Sequence, residues 1–251
     1  MTNQNEPVIS IKGLHKSFGD LQVLKGVDFT LNKGENVAIL GRSGMGKSVL
    51  IKIIIGLLKP DKGEVIALGK NIEDLNGSEL DKLRTRIGFS FQNSALYDSM
   101  NLYQNIAFPL KMNNKRLSKK DIDLNVKRLL GAVGMMDKID QMPAELSGGQ
   151  KKRASIARTL ILNPEIMLYD EPTAGLDPKT STEINNMINK VQHQFDTSSI
   201  IITHDLTCAK NTSDRIVILH DGKIVNEGTF NDVFNSEEEY LKDFYNYNFI
   251  K

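Results

Sequence analysis

The stretch Asn36-Val37-Ala38-Ile39-Leu40-Gly41-Arg42-Ser43-Gly44-Met45-Gly46-Lys47-Ser48 decides the fold of this chain. Its first five residues are nearly all apolar, which is typical of a strand covered on both faces. Gly41 interrupts this run, and a helical pattern is predicted over residues 47–58. From Gly41 onward the sequence matches G-x-x-x-x-G-K-[ST], which predicts a phosphate-binding loop between a buried strand and a helix.

The residue types in this loop suit a nucleoside triphosphate. Glycines let successive backbone N–H groups point at phosphate oxygens, and the helix that begins at Lys47 adds the positive end of its dipole. The Lys47 ammonium is expected to neutralise the β- and γ-phosphates, and the Ser48 hydroxyl to ligate Mg²⁺. The predicted nucleotide-binding residues of the loop are Gly41, Arg42, Ser43, Gly44, Met45, Gly46, Lys47, Ser48 and Val49.

Two acidic residues follow a second predicted strand at residues 166–169. Asp170 is expected to hold Mg²⁺, directly or through water, and Glu171 to polarise the attacking water as a catalytic base. His204 follows a further strand at residues 199–203, at the carboxyl edge where open α/β sheets bind ligands. We expect His204 to contact the γ-phosphate and to orient the water.

A second helix start carries glycines in the sequence Leu146-Ser147-Gly148-Gly149-Gln150. Ser147 is a natural N-cap, and the glycines allow backbone N–H groups to approach an anion closely. One nucleotide needs only one such phosphate-binding helix start. The second therefore predicts that another copy of this chain supplies its nucleotide.

The order of predicted elements indicates an α/β fold with a largely parallel sheet. Strands are predicted at 8–11, 27–31, 36–40, 87–91, 166–169, 199–203 and 215–219, with helices at 117–133 and 147–162. Asp177 is the expected N-cap of a further helix with Pro178 in its first turn, and Asp221-Gly222 is an expected hairpin turn. The expected organisation is a single domain with a core at 1–92 and 163–235, an inserted helical subdomain at 93–162, and an aromatic tail at 236–251.

Composition narrows the classes of function. The 32 Lys and Arg residues against 31 Asp and Glu give a net charge of +1, so no nucleic-acid partner is expected. The single cysteine, Cys208, excludes an internal disulfide and a cysteine zinc cluster. No apolar stretch approaches the ~20 residues that span a bilayer, and the polar start is unlike a signal peptide. A membrane role therefore requires a partner protein.

These motifs, in this order, resemble those of the ATP-binding-cassette (ABC) ATPases over nearly the whole chain. The resemblance adds Gln92, which matches the family's Q-loop and takes part in Mg²⁺ binding and catalysis, and Phe18, which matches the aromatic that stacks on adenine. It implies a P-loop NTPase (RecA-like) core with an antiparallel β subdomain and an inserted α-helical subdomain. It also implies a head-to-tail homodimer that holds ATP between one P-loop and the partner's Ser147, Gly148, Gly149 and Gln150.

Residues 91–101 and 105–110, together with Arg42, further resemble the ATPases of Mla-type lipid transporters. That resemblance implies a glycerophospholipid cargo, integral-membrane permease subunits, a Mce-domain partner, and a cytoplasmic position at the inner face of the cell membrane. The alternatives are an importer of a small solute such as an amino acid and a soluble cassette that acts on nucleic acid or ribosomes. A GTPase switch is disfavoured because no Asn-Lys-x-Asp motif is present.

Overall fold

The computed structural model of the chain describes residues 7–114 and 116–235. Its strands are β1 Pro7–Phe18, β2 Leu21–Asn32, β3 Asn36–Leu40, β4 Lys62–Ala67, β5 Lys70–Asn71, β6 Ile87–Ser90, β7 Ile166–Asp170, β8 Ser198–Thr203, β9 Arg215–His220 and β10 Lys223–Gly228. Its α-helices are α1 Lys47–Ile54, α2 Gly77–Arg86, α3 Leu102–Asn113, α4 Lys119–Ala132, α5 Gly148–Leu160, α6 Pro178–Phe195, α7 Leu206–Thr212 and α8 Phe230–Phe234. The predicted α-helical insertion thus comprises α3, α4 and α5.

The central sheet has the strand order β10-β9-β3-β8-β7-β6. Strands β9, β3, β8, β7 and β6 are parallel, and only the edge strand β10 pairs antiparallel with its neighbour. Every residue of β3 and β8 is buried, as expected for strands with both faces covered. The carboxyl ends of β3, β7 and β8 therefore meet at one edge of the sheet, where the loops that follow them converge.

A smaller antiparallel sheet, in the order β2-β1-β4-β5, packs with α1 against one face of the central sheet. Ile11 of β1 and Leu31 of β2 share a core with Ile51 of α1 and Ile39 of β3. The inserted helices form a second core on the other face, in which Ile106 and Leu129 pack with Tyr169 of β7. The α/β fold with a P-loop core, an antiparallel β subdomain and a helical insertion is confirmed.

Several local predictions are confirmed at the level of single residues. Asp177 caps α6, accepting hydrogen bonds from the N–H groups of Lys179 and Thr180, and Pro178 occupies the first helical position. Asp221 and Gly222 form the β9–β10 turn with φ of 45° and 74°. Cys208 is buried.

The helix expected over residues 47–58 is shorter, because α1 ends at Ile54. Gly56 adopts φ +66°, and a Cβ there would lie 2.7 Å from Leu80 Cδ1, so the chain must turn at this glycine. Strands β4 and β5 and helices α2, α3, α7 and α8 were not predicted from the sequence. Among the described residues, no helix is both long and apolar enough to cross a membrane. The predicted aromatic tail at 236–251 lies outside the described residues.

Candidate functional site

The loop between β3 and α1 wraps around the ammonium group of Lys47. Lys47 Nζ donates hydrogen bonds to the carbonyl oxygens of Gly41 at 2.6 Å and Arg42 at 3.1 Å. Burial lowers the pKa of Lys47, while the carboxylates of Glu171 and Asp170 oppose that shift. This places the lysine beside the acidic pair, at the edge of the sheet where phosphates were predicted to bind.

Gly46 is constrained both by its backbone conformation and by the residues packed against it. It caps α1 with φ +94°, a conformation that L-residues with a side chain rarely adopt. A Cβ at this position would lie 2.9 Å from Val23 Cγ1 and 3.0 Å from Leu24 Cδ2, both on β2. The start of this helix therefore packs directly against the antiparallel sheet.

Glu171 lies just beyond β7 in a backbone conformation that is unusual for its residue type. Its φ is +48°, and its N–H donates to Ile202 O at 2.8 Å. Its carboxylate lies 2.9 Å from His204 Nδ1 and accepts a hydrogen bond from Thr203 Oγ1 at 3.3 Å. Two residues at the end of β8 thus fix the direction of this carboxylate.

Asp170, the last residue of β7, stands beside Glu171. Burial raises the pKa of Asp170, the adjacent charge of Glu171 raises it further, and the ammonium groups of Lys47 and Lys152 oppose the shift. Two carboxylates and two ammonium groups therefore form one coupled charge cluster at the carboxyl edge of the sheet. A divalent cation in this position would favour the ionised form of Asp170.

One cavity of about 380 Å³ collects most of the predicted residues. Phe18 lies at its rim with 48% of its surface exposed, so a flat aromatic face is available to a base. Gly41, Arg42 and Met45 belong to the loop but do not line the cavity, and Val23 and Ile202 were not predicted. The lining residues are Phe18, Val23, Ser43, Gly44, Gly46, Lys47, Ser48, Val49, Gln92, Asp170, Glu171, Ile202 and His204.

The predicted N-cap of α5 at Ser147 is confirmed, and the residues around it face a different cavity. Ser147 caps α5, its Oγ accepting from Gln150 N–H at 3.3 Å while Gln150 Oε1 accepts from Ser147 N–H at 2.9 Å. Gly149 lies so close to α6 that a Cβ would approach Thr180 Cγ2 to 2.4 Å. Ser147, Gly149 and Gln150 line a cavity of about 240 Å³ that shares no residue with the P-loop cavity.

Lys152 is a member of the site that sequence reasoning missed. Its ammonium group is buried and donates to Gln92 O at 2.5 Å and to Glu171 O at 3.1 Å. The available signal was helical spacing, since Gly149, Lys152, Ile156 and Leu160 share the buried face of α5. A lysine among buried positions indicates a charge with a specific partner.

A larger cleft of about 700 Å³ lies at the opposite, amino-terminal edge of the central sheet. Its polar groups are largely bonded to one another: Asn36 Nδ2 donates to Gln192 Oε1 at 2.9 Å, and Asn189 Nδ2 donates to Asn211 O at 2.7 Å. None of the predicted catalytic or nucleotide-binding residues lines it. The smaller cavity at the carboxyl edge is therefore the candidate active site.

The chain is similar to proteins of one known family. A family model described as "ABC transporter" matches residues 24–174. The chain is 33% identical to the ATP-binding cassette MJ0796, whose dimeric post-hydrolysis structure contains ADP and phosphate, with a TM-score of 0.80. That match covers 88% of this chain and 98% of the MJ0796 chain.

Three relatives differ in the compound that their names mention. Protein TRIGALACTOSYLDIACYLGLYCEROL 3 of Arabidopsis thaliana is 38% identical, over 97% of this chain and 75% of its own length. The methionine import ATP-binding protein MetN of Clostridium tetani is 39% identical, over 94% of this chain and 73% of its own. The probable ribonucleotide transport ATP-binding protein mkl of Mycobacterium tuberculosis is 38% identical, over 95% of this chain and 66% of its own length.

Proposed function

This chain belongs to the ABC transporter family as an ATP-binding ATPase subunit, and we propose that the transporter it powers carries a glycerophospholipid. One observation carries the choice of cargo: the relative matched over 97% of the chain is named for trigalactosyldiacylglycerol, a glycerolipid. The resemblance of residues 91–101 and 105–110 to Mla-type ATPases points to the same class. Methionine import is the second candidate, because MetN matches at a similar level of identity.

The proposed ATP site uses the cavity at the carboxyl edge of the sheet. Adenine stacks on the exposed ring of Phe18, and the phosphates lie against the N–H groups of the loop and the ammonium of Lys47. Glu171 accepts a proton from the attacking water, and His204 holds the Glu171 carboxylate in place.

The oxygen donors of the cavity fit Mg²⁺. The Ser48 hydroxyl, the Asp170 carboxylate and the Gln92 amide line the same space, and Mg²⁺ in nucleotide sites takes few protein ligands beside phosphates and waters. Among the described residues no group of three or more His, Cys, Asp and Glu could hold a metal alone, so this cation would arrive with the nucleotide. When bound, it would neutralise charge that develops on the phosphate oxygens.

We propose a head-to-tail homodimer as the active form. Ser147, Gly149 and Gln150 line a cavity apart from the P-loop, so they do not complete the nucleotide site of their own chain. A second copy that places its α5 start over the P-loop would supply the missing donors. The similarity to MJ0796, which was solved as a dimer, supports this arrangement.

The permease is proposed to dock on the segment that follows Gln92. Phe91 and Tyr97 are 40% and 44% exposed, and the Tyr97 ring meets that of Phe108 on α3 with 5.1 Å between centroids. The segment starts at the proposed ATP site and ends in the helical subdomain. A movement of Gln92 with the nucleotide state would thus reach an apolar surface suited to a membrane partner.

The cargo is tested with the complex purified from its native membrane through a tag on this chain. The complex is reconstituted in vesicles with fluorescent phospholipid, and ATP-dependent lipid transfer is compared with ATP-dependent uptake of methionine. Lipid transfer that is lost in the Glu171→Gln complex, together with a copurifying Mce-domain protein, supports the proposal. Methionine uptake without lipid transfer contradicts it and favours the second candidate.

A further inference from the structure

Lys152 joins three parts of the molecule that are distant in sequence. It lies in the second turn of α5, the helix that begins with the Ser147 cap, and the residue is 5% exposed. This one group binds the carbonyl oxygen of Gln92, after β6, and that of Glu171, after β7. The two backbone positions joined in this way carry the proposed Mg²⁺ ligand Gln92 and the proposed catalytic base.

The backbone of Glu171 needs such support. A left-handed φ in a residue with a long side chain is strained and persists only where the surroundings fix it. Its N–H is held by Ile202 O, and its carbonyl accepts from Lys152 Nζ at 3.1 Å and from Ala174 N–H at 3.2 Å. The backbone of Glu171 is therefore anchored on both sides, by two backbone partners and by the charged side chain of Lys152.

The energetic cost of burying the Lys152 ammonium is offset by charges and hydrogen-bond acceptors of the same site. Burial lowers the pKa of Lys152, and the nearby carboxylates of Asp170 and Glu171 oppose the shift. A buried charge with specific acceptors is costly to leave unpaired, so the two carbonyls and the ammonium constrain one another. Arg158 of α5 makes a parallel contact further along the loop after β6, donating to Ala95 O at 2.5 Å. Helix α5 thus holds this loop at two points.

We propose that Lys152 is a positioning residue for ATP hydrolysis, which fixes the backbones of Gln92 and Glu171 relative to each other and to the start of α5. The inference rests on the proposed roles of Glu171 and of the homodimer. Ser147 lies five residues before Lys152, which is about 7.5 Å along a helix. The helix that is proposed to meet the partner's nucleotide is thus the one that holds the backbone of the catalytic base in its own chain.

The test compares Lys152→Met with Lys151→Met, the same substitution at the adjacent position. Within the described part of the chain, the Lys151 ammonium makes no hydrogen bond or ion pair, so Lys151→Met is the control. ATPase rates and ATP affinity are measured on the full chain. Lys152→Met is expected to lower kcat about 10- to 100-fold while ATP affinity stays within about twofold, because the lost bonds hold hydrolytic groups rather than the phosphate loop. Lys152→Arg, which keeps a cation with several donors, is expected to recover much of kcat.

The Glu171→Gln background separates positioning from general damage. If Lys152 acts through Glu171, adding Lys152→Met to Glu171→Gln lowers the residual rate far less than it lowers the wild-type rate. Wild-type kcat in Lys152→Met overturns the inference, as does a loss of ATP affinity that parallels the loss of kcat. If Lys152→Met does not fold, Lys152→Gln takes its place, and a wild-type rate in that variant overturns the inference.

Failure of the proposed function gives a different result. Near-normal hydrolysis by Glu171→Gln removes Glu171 from the role of base, whatever Lys152→Met does. Strong loss in Glu171→Gln with no loss in Lys152→Met leaves the proposed function intact and rejects the positioning role. The two hypotheses therefore fail on different variants.

Discussion

The imidazole Nδ1 of His204 lies 2.9 Å from each carboxylate oxygen of Glu171. An ionised carboxylate only accepts hydrogen bonds, so the proton of this contact is on Nδ1. The Nδ1–H group donates a hydrogen bond that the two carboxylate oxygens share. The ring thus orients the carboxylate and leaves Nε2 facing away from it. The proposed contact of His204 with a nucleotide would therefore use Nε2.

His204→Ala is expected to lower kcat about 10- to 100-fold, because Glu171 loses its main side-chain donor and keeps only Thr203. ATP affinity is expected to stay near that of the wild type, since Lys47 and the loop are unchanged. The control is His193→Ala, which removes an exposed imidazole on α6. Equal losses in the two variants would show that His204 has no specific role in hydrolysis.

Glu171→Gln is expected to bind MgATP and to hydrolyse it at least about 100-fold more slowly, because an amide cannot accept the proton of the attacking water. Lys47, Ser48 and Asp170 remain to hold the nucleotide. Gel filtration with ATP should show a stable dimer, since the hydrolysis step that would end the ATP-bound dimer is blocked. Normal turnover, measured as phosphate release, would contradict the role of Glu171.

Asn105→Leu is expected to lower the free energy of unfolding by about 2–4 kcal/mol, because a buried amide that satisfies several backbone groups is removed. Asn105 is fully buried on α3, accepts from Tyr97 N–H, and donates to the carbonyls of Tyr97, Met100 and Asn101. Urea unfolding measures the loss. Asn113→Leu, at an exposed position on the same helix, should change stability much less.

The site could be predicted from the sequence where its chemistry depends on residues adjacent in the chain. The P-loop carries its own strand, turn and helix start. Asp170 ends a parallel strand, and Glu171 and His204 each follow one, so the three converge at one sheet edge. Lys152 could not be placed in this way. Its partners are carbonyl groups 60 and 19 residues away, and only tertiary packing brings them to it.

The sequence also failed to predict one contact and one helix of the fold. Val23 enters the nucleotide cavity because β2 packs against Gly46, a contact between the antiparallel sheet and the P-loop that strand patterns do not report. Helix α3 was missed because Pro109 interrupts its pattern, and a proline inside a helix usually argues against one. Its N-terminus was readable, since Asn101 and Gln104 form a capping box there.

Ser147→Arg is expected to abolish hydrolysis while leaving ATP binding intact, because Ser147 does not line the nucleotide cavity of its own chain. Lys47→Ala is expected to lose ATP affinity instead, since it removes the charge that meets the phosphates. Each variant alone should be inactive. A mixture of the two should regain a measurable fraction of wild-type activity, because a mixed dimer contains one site with both residues intact.

The control for this complementation is a mixture of Ser147→Arg with the double variant Ser147→Arg/Lys47→Ala, in which no dimer has a complete site. Activity in the first mixture and none in the second supports a site built from two chains. Hydrolysis by Ser147→Arg alone would instead show that one chain suffices.

Ala95→Asp is expected to weaken assembly with the permease while leaving the ATPase rate of the isolated subunit nearly unchanged. Ala95 is exposed at φ +45°, a backbone conformation that Asp adopts more readily than most residues, so the fold should tolerate the change. Ala95 lies between Phe91 and Tyr97 in the sequence, and both of these aromatic residues are exposed. The new carboxylate would therefore place a charge on the surface that is proposed to meet the membrane partner. Recovery of the permease with the tagged subunit is the measurement.

The matched control is Leu124→Asp on α4, a residue that is 69% exposed and lies outside this segment. Loss of the permease in Ala95→Asp alone assigns the contact to the loop after β6, whereas equal recovery with both variants means that the permease binds elsewhere.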